Sequence, residues 1–432
     1  MPSDIQSKRT SSLRALALNP ANGNAWTDLG ISLRDGGQVK VGGKDYTAQE
    51  CFLKALECDP KMGSAWGNLG NTLKSADRVE VGGKSYKKKD CYLKALELDP
   101  RYEIAWYNLG RALKPGFRVR VGWKMYDNRG CYLKALECFP RYGKAWNNLG
   151  GTINQRERLK VGTEEFGAQE CYLKSLECDP TDGDAWYNLG ITLKEGKQAK
   201  LGGEYYGTRE CFLKALEFDP QMGGAWGNLG RTLKGGESVR IGGVECFMRD
   251  CFLKAVENDP RITIAWALLG SALTPGEKVE IEGKAYTAQD CCLRALEIDA
   301  RIGPAWEILG DTVKEGEKVQ VQEKVYTRSQ CYLMALQRDL GNGSAWYKLG
   351  CTLKVGEKVR IVGIRYDERS CFLKALECDP NDGPAWSSLG YALREGEHVK
   401  VGGKEYTAQE CLLKAKESGR LRDEDAETPS NE

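Results

Sequence analysis

Cysteine and asparagine are the residue types here whose chemistry and regular placement ask to be read first. Ten of the seventeen cysteines recur every 40 residues, from Cys51 and Cys91 to Cys411. Such a row raises metal binding and disulfides as the first two chemistries to test. No Cys-x-x-Cys pair occurs and His398 is the only histidine, so a zinc site of ordinary ligand spacing is not available. Equivalent positions on stacked helices lie roughly 8–10 Å apart, beyond the Cα separation of under about 7 Å that a disulfide requires. The expectation is a set of reduced thiols acting as small buried apolar residues, with no metal and no cofactor.

Asparagine forms a second row. Two residues after a recurring tryptophan stand Asn68, Asn108, Asn148, Asn188 and Asn228, preceded by Asp28 and followed by Leu268, Ile308, Lys348 and Ser388. A carboxamide offers a donor and an acceptor together, which can satisfy the C=O and N–H of an extended peptide whatever its sequence. A third row is basic: Arg34, Lys74, Lys114, Lys194, Lys234, Lys314, Lys354 and Arg394. Placed near a helix C-terminus, these residues gain about 0.3–1 kcal/mol from the helix dipole, and some would also favour acidic partners. Tyr107, Tyr187 and Tyr347, one residue after the tryptophan, are expected to add aromatic contacts.

No cluster of acid, base and nucleophile breaks the periodicity, so catalysis is not expected. Val81 to Ser85 superficially resembles a phosphate loop, but Arg78 stands where the first glycine is required.

The elements that must position these rows repeat with them. Ala-Trp recurs at 40-residue intervals from Ala25-Trp26 to Ala385-Trp386, ten copies in all. Trp66, Leu69, Gly70 and Leu73 share one face of a short helix, helix A, and Cys91 to Glu97 has the spacing of a second, helix B. Between them lie segments such as Gln38 to Tyr46, where Val39 and Val41 alternate with polar residues before Gly42-Gly43. That pattern predicts a β-hairpin with a two-residue loop, Val39 facing Tyr46 and Lys40 facing Asp45. Pairing of neighbouring hairpins into one sheet is geometrically open. Gln322-Glu323, in place of the glycine pair, is expected to distort its turn. Thr47-Ala-Gln-Glu50 reads as a capping box opening helix B. Helix-interior glycines at Gly30, Gly70 and Gly110 each cost about 1 kcal/mol and need a close neighbour; Ala55, Ala95 and Ala135 of helix B are the expected ones.

In order, Trp66, Leu69, Gly70, Leu73, Tyr92, Ala95 and Pro100 resemble the tetratricopeptide repeat signature, and the match recurs over residues 21–417. The resemblance implies a mostly α right-handed superhelical solenoid of antiparallel helix pairs, here with a hairpin inserted in each repeat. It also implies a scaffold that binds proteins or extended peptides on its concave face, which helix A lines. On that reading Asn68, Asn108, Asn148, Asn188 and Asn228, with Lys74, Lys114, Lys194 and Lys234, are the peptide-binding residues. The asparagine row is similar to those of the O-GlcNAc transferase superhelix and of armadillo importins. A detached substrate arm related to that transferase, without a catalytic domain, is the alternative reading.

The expected organisation is a flexible 1–10, a half-repeat helix at 11–20, ten repeats over 21–417 and a disordered acidic tail at 418–432. Lys+Arg 63 against Asp+Glu 61, spread along the chain, speaks against a general nucleic-acid or membrane-surface binder. No leader-like apolar run opens the sequence, and a cytoplasmic protein with a nuclear share is expected. The oligomeric state and the partner's identity are not written in the sequence.

Overall fold

The computed structural model describes residues 2–33, 36–154, 156–194 and 196–427. It divides into two units, Met1–Phe218 and Asp219–Glu432. In each unit helices follow one another as antiparallel pairs, with a hairpin between the two members of a pair. The first unit opens with α1 (Pro2–Leu18), and its first repeat is α2 (Gly23–Ile31), β1 (Gln38–Val41), β2 (Lys44–Thr47) and α3 (Ala48–Cys58). Every later repeat copies α2, β1, β2 and α3, and within each unit a helix B packs on its own helix A and on the helix A that follows it there.

Local chemistry explains the element ends. Thr47 and Glu50 form the expected capping box: the Thr47 N–H donates to Glu50 at 2.8 Å, and the Glu50 N–H to Thr47 Oγ1 at 3.3 Å. Helix A starts under side-chain caps where the sequence supplies them, Asn22, Asp182, Asn342 and Asp382 each accepting from the N–H three residues on. The indole N–H of each repeat tryptophan donates to the carbonyl six residues earlier, in all ten copies, at 2.9 Å for Trp26 and Pro20. That bond locks the chain turn between helix B and the next helix A while the ring itself is buried.

The hairpins have the expected register, Val39 opposite Tyr46 and Lys40 opposite Asp45. Among the described residues they form ten separate two-stranded sheets and no continuous one. The reason lies in their inner faces. Tyr46 meets Trp26 with ring centroids 4.9 Å apart and Tyr86 meets Trp66 at 4.7 Å, and in nine of the ten repeats such a ring pair holds the hairpin face-down on its own helix A; the sixth has the buried Cys246 in that place. Packing on helices supplies what an isolated hairpin lacks, and strand pairing between neighbours is not needed. In the turns, Gly42 and Gly43 have φ of +57° and +90°. Gln322 adopts the same left-handed conformation at +53°, Glu323 does not, and the pairing of Val321 with Lys324 is kept. The turn therefore changes type without shifting the strands.

Helix-interior glycines are needed, but alanine is not what approaches them. A Cβ on Gly70 would lie 2.7 Å from Tyr92 Cε1, and one on Gly110 2.7 Å from Tyr132 Cε1. In eight repeats the aromatic residue after the helix B cysteine lies across the glycine of its own repeat; Cys292 and Leu412 take that place at Gly270 and Gly390. The expectation of Ala55, Ala95 and Ala135 fails because residue size alone does not say which side chain covers a given surface. Alanine serves elsewhere: the Ala95 carbonyl passes the start of helix A, 3.3 Å from where a Cβ on Gly63 would sit.

The ends differ from expectation. α1 begins at Pro2, not near residue 11, since neither glycine nor proline interrupts residues 3–18. The last helix runs Ala408–Glu427, through the segment expected to lack structure from Ser418; Pro429 is the first residue that would stop it, and residues 428–432 lie outside the described residues. Lys416, in the place of a core leucine, is exposed. Among the described residues no helix is long and apolar enough to cross a membrane.

Candidate functional site

Helix A offers one open face. In the second repeat Ser64, Asn68 and Asn71 follow at intervals of four and three, which places them in a line along the helix Gly63–Thr72. The residue just after the helix glycine is exposed in every copy: Ile31, Asn71, Arg111, Gly151, Ile191, Arg231, Ser271, Asp311, Cys351 and Tyr391. Its identity changes from repeat to repeat while the core positions around it stay fixed.

In the first unit this face lines a groove of about 940 Å³, bounded by the helices Gly63–Thr72 and Glu103–Ala112, the start of Gly143–Gly150 and the starts of two B helices. Asn68, Asn71 and Asn108 lie on its walls, with Lys87, Lys88, Lys89, Arg111 and Lys144. No acidic residue lines it. Among the described residues none of those five cations has an ion pair. Arg111 rests on the Tyr107 ring, 5.7 Å from its centroid. Tyr92 donates its hydroxyl to Asn71 Oδ1 at 2.8 Å, which turns the Asn71 NH₂ outward. The groove is thus lined by donors and positive charge.

The expected asparagines are placed unequally. Asn68 is 3% exposed and donates to Ser64 O at 2.9 Å. Asn148 donates to Lys144 O at 3.0 Å and to Tyr107 Oη at 3.1 Å, and Asn188 donates to Asn147 Oδ1 at 2.9 Å. Asn228, in the second unit, donates to Gly224 O at 3.1 Å. Among the described residues Asn108 alone of the five makes no side-chain hydrogen bond, and it is half-buried on the groove wall. Several amides are therefore engaged within the protein, two of them tying one repeat to the next.

The basic row sits beyond helix A. Leu73 has extended φ and ψ of −87° and 138°, so Lys74 follows the helix end and opens a turn, its N–H donating to Asp77 at 2.8 Å. Lys114, Lys194 and Lys234 are likewise exposed in turns, and neither Lys74 nor Lys114 lines the groove. Arg34 lies outside the described residues. Tyr107 is buried against Tyr142, centroids 5.0 Å apart, while Tyr187 and Tyr347 pack on Phe212 and Phe372 at 6.0 Å. They are core more than contact residues.

Sequence reasoning missed Asn71, Lys88, Lys89, Arg111 and Lys144. The available signal was variability at the position after the glycine, where a core reading allows none. Lys89 had a subtler one. Its counterparts Arg129 and Arg249 pair with Glu157 and Glu277 in the turn of the following repeat. In the repeat after Lys89 that turn position is Phe117, so Lys89 is left for the groove.

In the second unit the equivalent face is closed on itself. Lys348, at an asparagine-row position, bridges Glu307 at 2.8 Å and Asp311 at 2.7 Å, and Glu307 also accepts from Asn342 and Ser344, both at 2.7 Å. Burial works against ionisation of Glu307, but the hydrogen bonds from Lys348, Asn342 and Ser344 outweigh it and hold the carboxyl below the usual range. Burial likewise opposes the charge on Lys348, and its two carboxylate partners keep its pKa above the ordinary value.

Residues 91–127, 171–202 and 371–410 match a family model described as Tetratricopeptide repeat. Each match starts at or near the cysteine of a helix B, and the repeats between them share its fixed positions. A comparison with curated proteins gave no match. Among solved structures the chain is similar to yeast Tom70, with 12% identity, 98% of this chain and 86% of that one covered, and a TM-score of 0.30. It is also similar to a human IFIT1 dimer with m7Gppp-AAAA, with 13% identity, 94% and 72% covered, and a TM-score of 0.27. Overlaps this low say nothing about what this chain binds.

Proposed function

From the premise that this chain is a tetratricopeptide-repeat protein, a protein-interaction scaffold in general terms, we propose that it is non-catalytic and binds an extended acidic segment of a partner in the first-unit groove. The observation that carries this is the groove's lining, which holds Lys87, Lys88, Lys89, Arg111 and Lys144 and no acidic residue. Asn71 and Asn108 add donors for the main-chain carbonyls of that segment, while the cations meet its carboxylates. A row of buried thiols suits a reducing compartment, and we place the protein in the cytoplasm.

The test is calorimetric titration with an oligo-aspartate peptide at low salt, on the full chain and on a Lys89→Glu/Arg111→Glu variant. Binding that weakens about tenfold or more in the variant and fades with added salt supports the proposal. Equal affinity in both, with the variant still folded, would remove the groove as the site.

A further inference from the structure

Near-neutral charge over the whole chain hides one local exception. The third hairpin and the turn leading into it, residues 114–126, carry Lys114, Arg118, Arg120 and Lys124 and no acidic residue. Each of the other nine copies has at least one Asp or Glu over the same stretch. Lys114, Arg118 and Arg120 have no ion pair among the described residues, and Lys124 lies over its own Tyr126 ring, 5.5 Å from the centroid.

Three exposed apolar residues gather on this hairpin and its turn, two of them, Phe117 and Trp123, at positions where no other copy has an aromatic residue. Phe117 stands where seven of the other nine copies have an acid; there Asp77 accepts from the backbone N–H opening the turn, that of Lys74, at 2.8 Å, and Glu237 from that of Lys234 at 3.1 Å. Trp123 replaces the second turn glycine, and Met125 lies opposite Arg120. Phe117 is 61% exposed, Trp123 87% and Met125 50%, whereas every other tryptophan in the chain is at most 5% exposed. Giving up a turn hydrogen bond and presenting an indole to water gains nothing in packing. Departures of that kind, gathered on one tip, mark a site of contact.

We propose that the third hairpin seats its tip on an anionic lipid surface. An indole is suited to the headgroup level of a bilayer, apolar body inward and N–H toward water. Phe117 and Met125 add apolar area beside it, and the four cations complement anionic headgroups. A bilayer surface receives a convex tip without a preformed pocket, which a folded protein would have to provide. Glu80 on the preceding hairpin and Glu164 and Glu165 on the following one confine the contact to this tip. Attachment is therefore reversible and steeply dependent on anionic lipid, as expected of one small anchor plus a basic patch. This site is separate from the peptide groove and does not depend on it.

The experiment is sedimentation of the full chain with phosphatidylcholine vesicles made with and without phosphatidylserine, together with iodide quenching of tryptophan emission. Trp123 is the one tryptophan that iodide reaches. The protein should pellet only with the phosphatidylserine vesicles, and the quenchable emission should become protected. Phe117→Glu/Trp123→Gly/Met125→Ser restores residues found in other copies, so it should fold at least as well as the parent while losing vesicle binding. Arg118→Glu and Arg120→Glu should each weaken binding about fivefold or more. Three results would overturn the proposal: no pelleting with phosphatidylserine, pelleting unchanged by the triple substitution, or quenching that persists on bound vesicles. Capture of an acidic protein by the parent and not by the triple variant, with vesicles inert, would assign the tip to a protein partner instead.

Discussion

Asn148 donates its side-chain amide to Tyr107 Oη at 3.1 Å, across the boundary between two repeats. Its other donor goes to Lys144 O in its own helix at 3.0 Å. A residue that the sequence offers as a peptide clamp is, in the folded chain, a strut between neighbouring A helices. Asn108, 40 residues earlier at the same repeat position, is the one whose amide has no recorded partner.

The two asparagines should accordingly respond in opposite ways to alanine. Asn148→Ala is expected to lower stability by about 1 kcal/mol through its lost hydrogen bonds and to leave peptide affinity nearly unchanged. Asn108→Ala should leave the melting midpoint in place and weaken binding of an acidic peptide by roughly 0.5–1.5 kcal/mol. Thermal melting and calorimetry on both variants separate these outcomes; a matched pair of effects would show that the row acts uniformly.

Gly110 is irreplaceable in a way that Gly235 is not. A Cβ at Gly110 would sit 2.7 Å from Tyr132 Cε1 and 3.1 Å from Asn128 O, against a ring that is 5% exposed and has no room to move. Gly110→Ala should cost about 2 kcal/mol, although alanine is the better helix former. Gly235 has no atom within 4 Å of its virtual Cβ, so Gly235→Ala should be neutral or stabilise by about 0.5 kcal/mol. Denaturation midpoints of the two variants decide the matter.

The Glu307–Lys348–Asp311 cluster makes stability depend on pH at both ends. Glu307 has a lower pKa folded than unfolded, so its contribution is full above the ordinary carboxylate pKa and is lost as pH falls through the depressed folded value. Lys348 is raised, so its contribution is full below the ordinary lysine pKa and is lost as pH rises through the folded value. Neutral pH lies on the plateau between. Lys348→Met should cost about 1 kcal/mol there, because the pair is only partly buried and Asn342 and Ser344 still hold Glu307. The deficit should shrink in acid, where Glu307 is protonated in both proteins. Melting curves across pH in which the deficit stays constant would contradict this account.

The cysteines should fall into reactivity classes set by burial. Burial pushes the Cys51 and Cys131 thiols up to about 12, and both side chains are fully buried, so they offer no thiolate near neutrality. Cys58, Cys351 and Cys378 are exposed. A thiol reagent at neutral pH should modify those three first and reach the full seventeen only after unfolding. A total below seventeen in denaturant would reveal disulfides.

Periodicity and local chemistry decided the repeat. The 40-residue spacing, the helix faces, the Thr47–Glu50 cap and the register of Val39 with Tyr46 all depend on residues close in sequence, whose preferences can be read from their order. Tertiary packing decided which repeated positions remain available. Whether Phe52 or Ala55 meets Gly30, whether Asn148 faces solvent or Tyr107, and whether Lys89 finds an acid in the next repeat are settled between helices that the spacing treats as identical. The separation of the hairpins has the same origin: two strands match the width of a helix step, so spacing alone permits a sheet. Packing each hairpin on its own helix A, through a ring pair with Trp in nine repeats, removes that option, because it satisfies the hairpin's apolar face locally and leaves its edges unpaired.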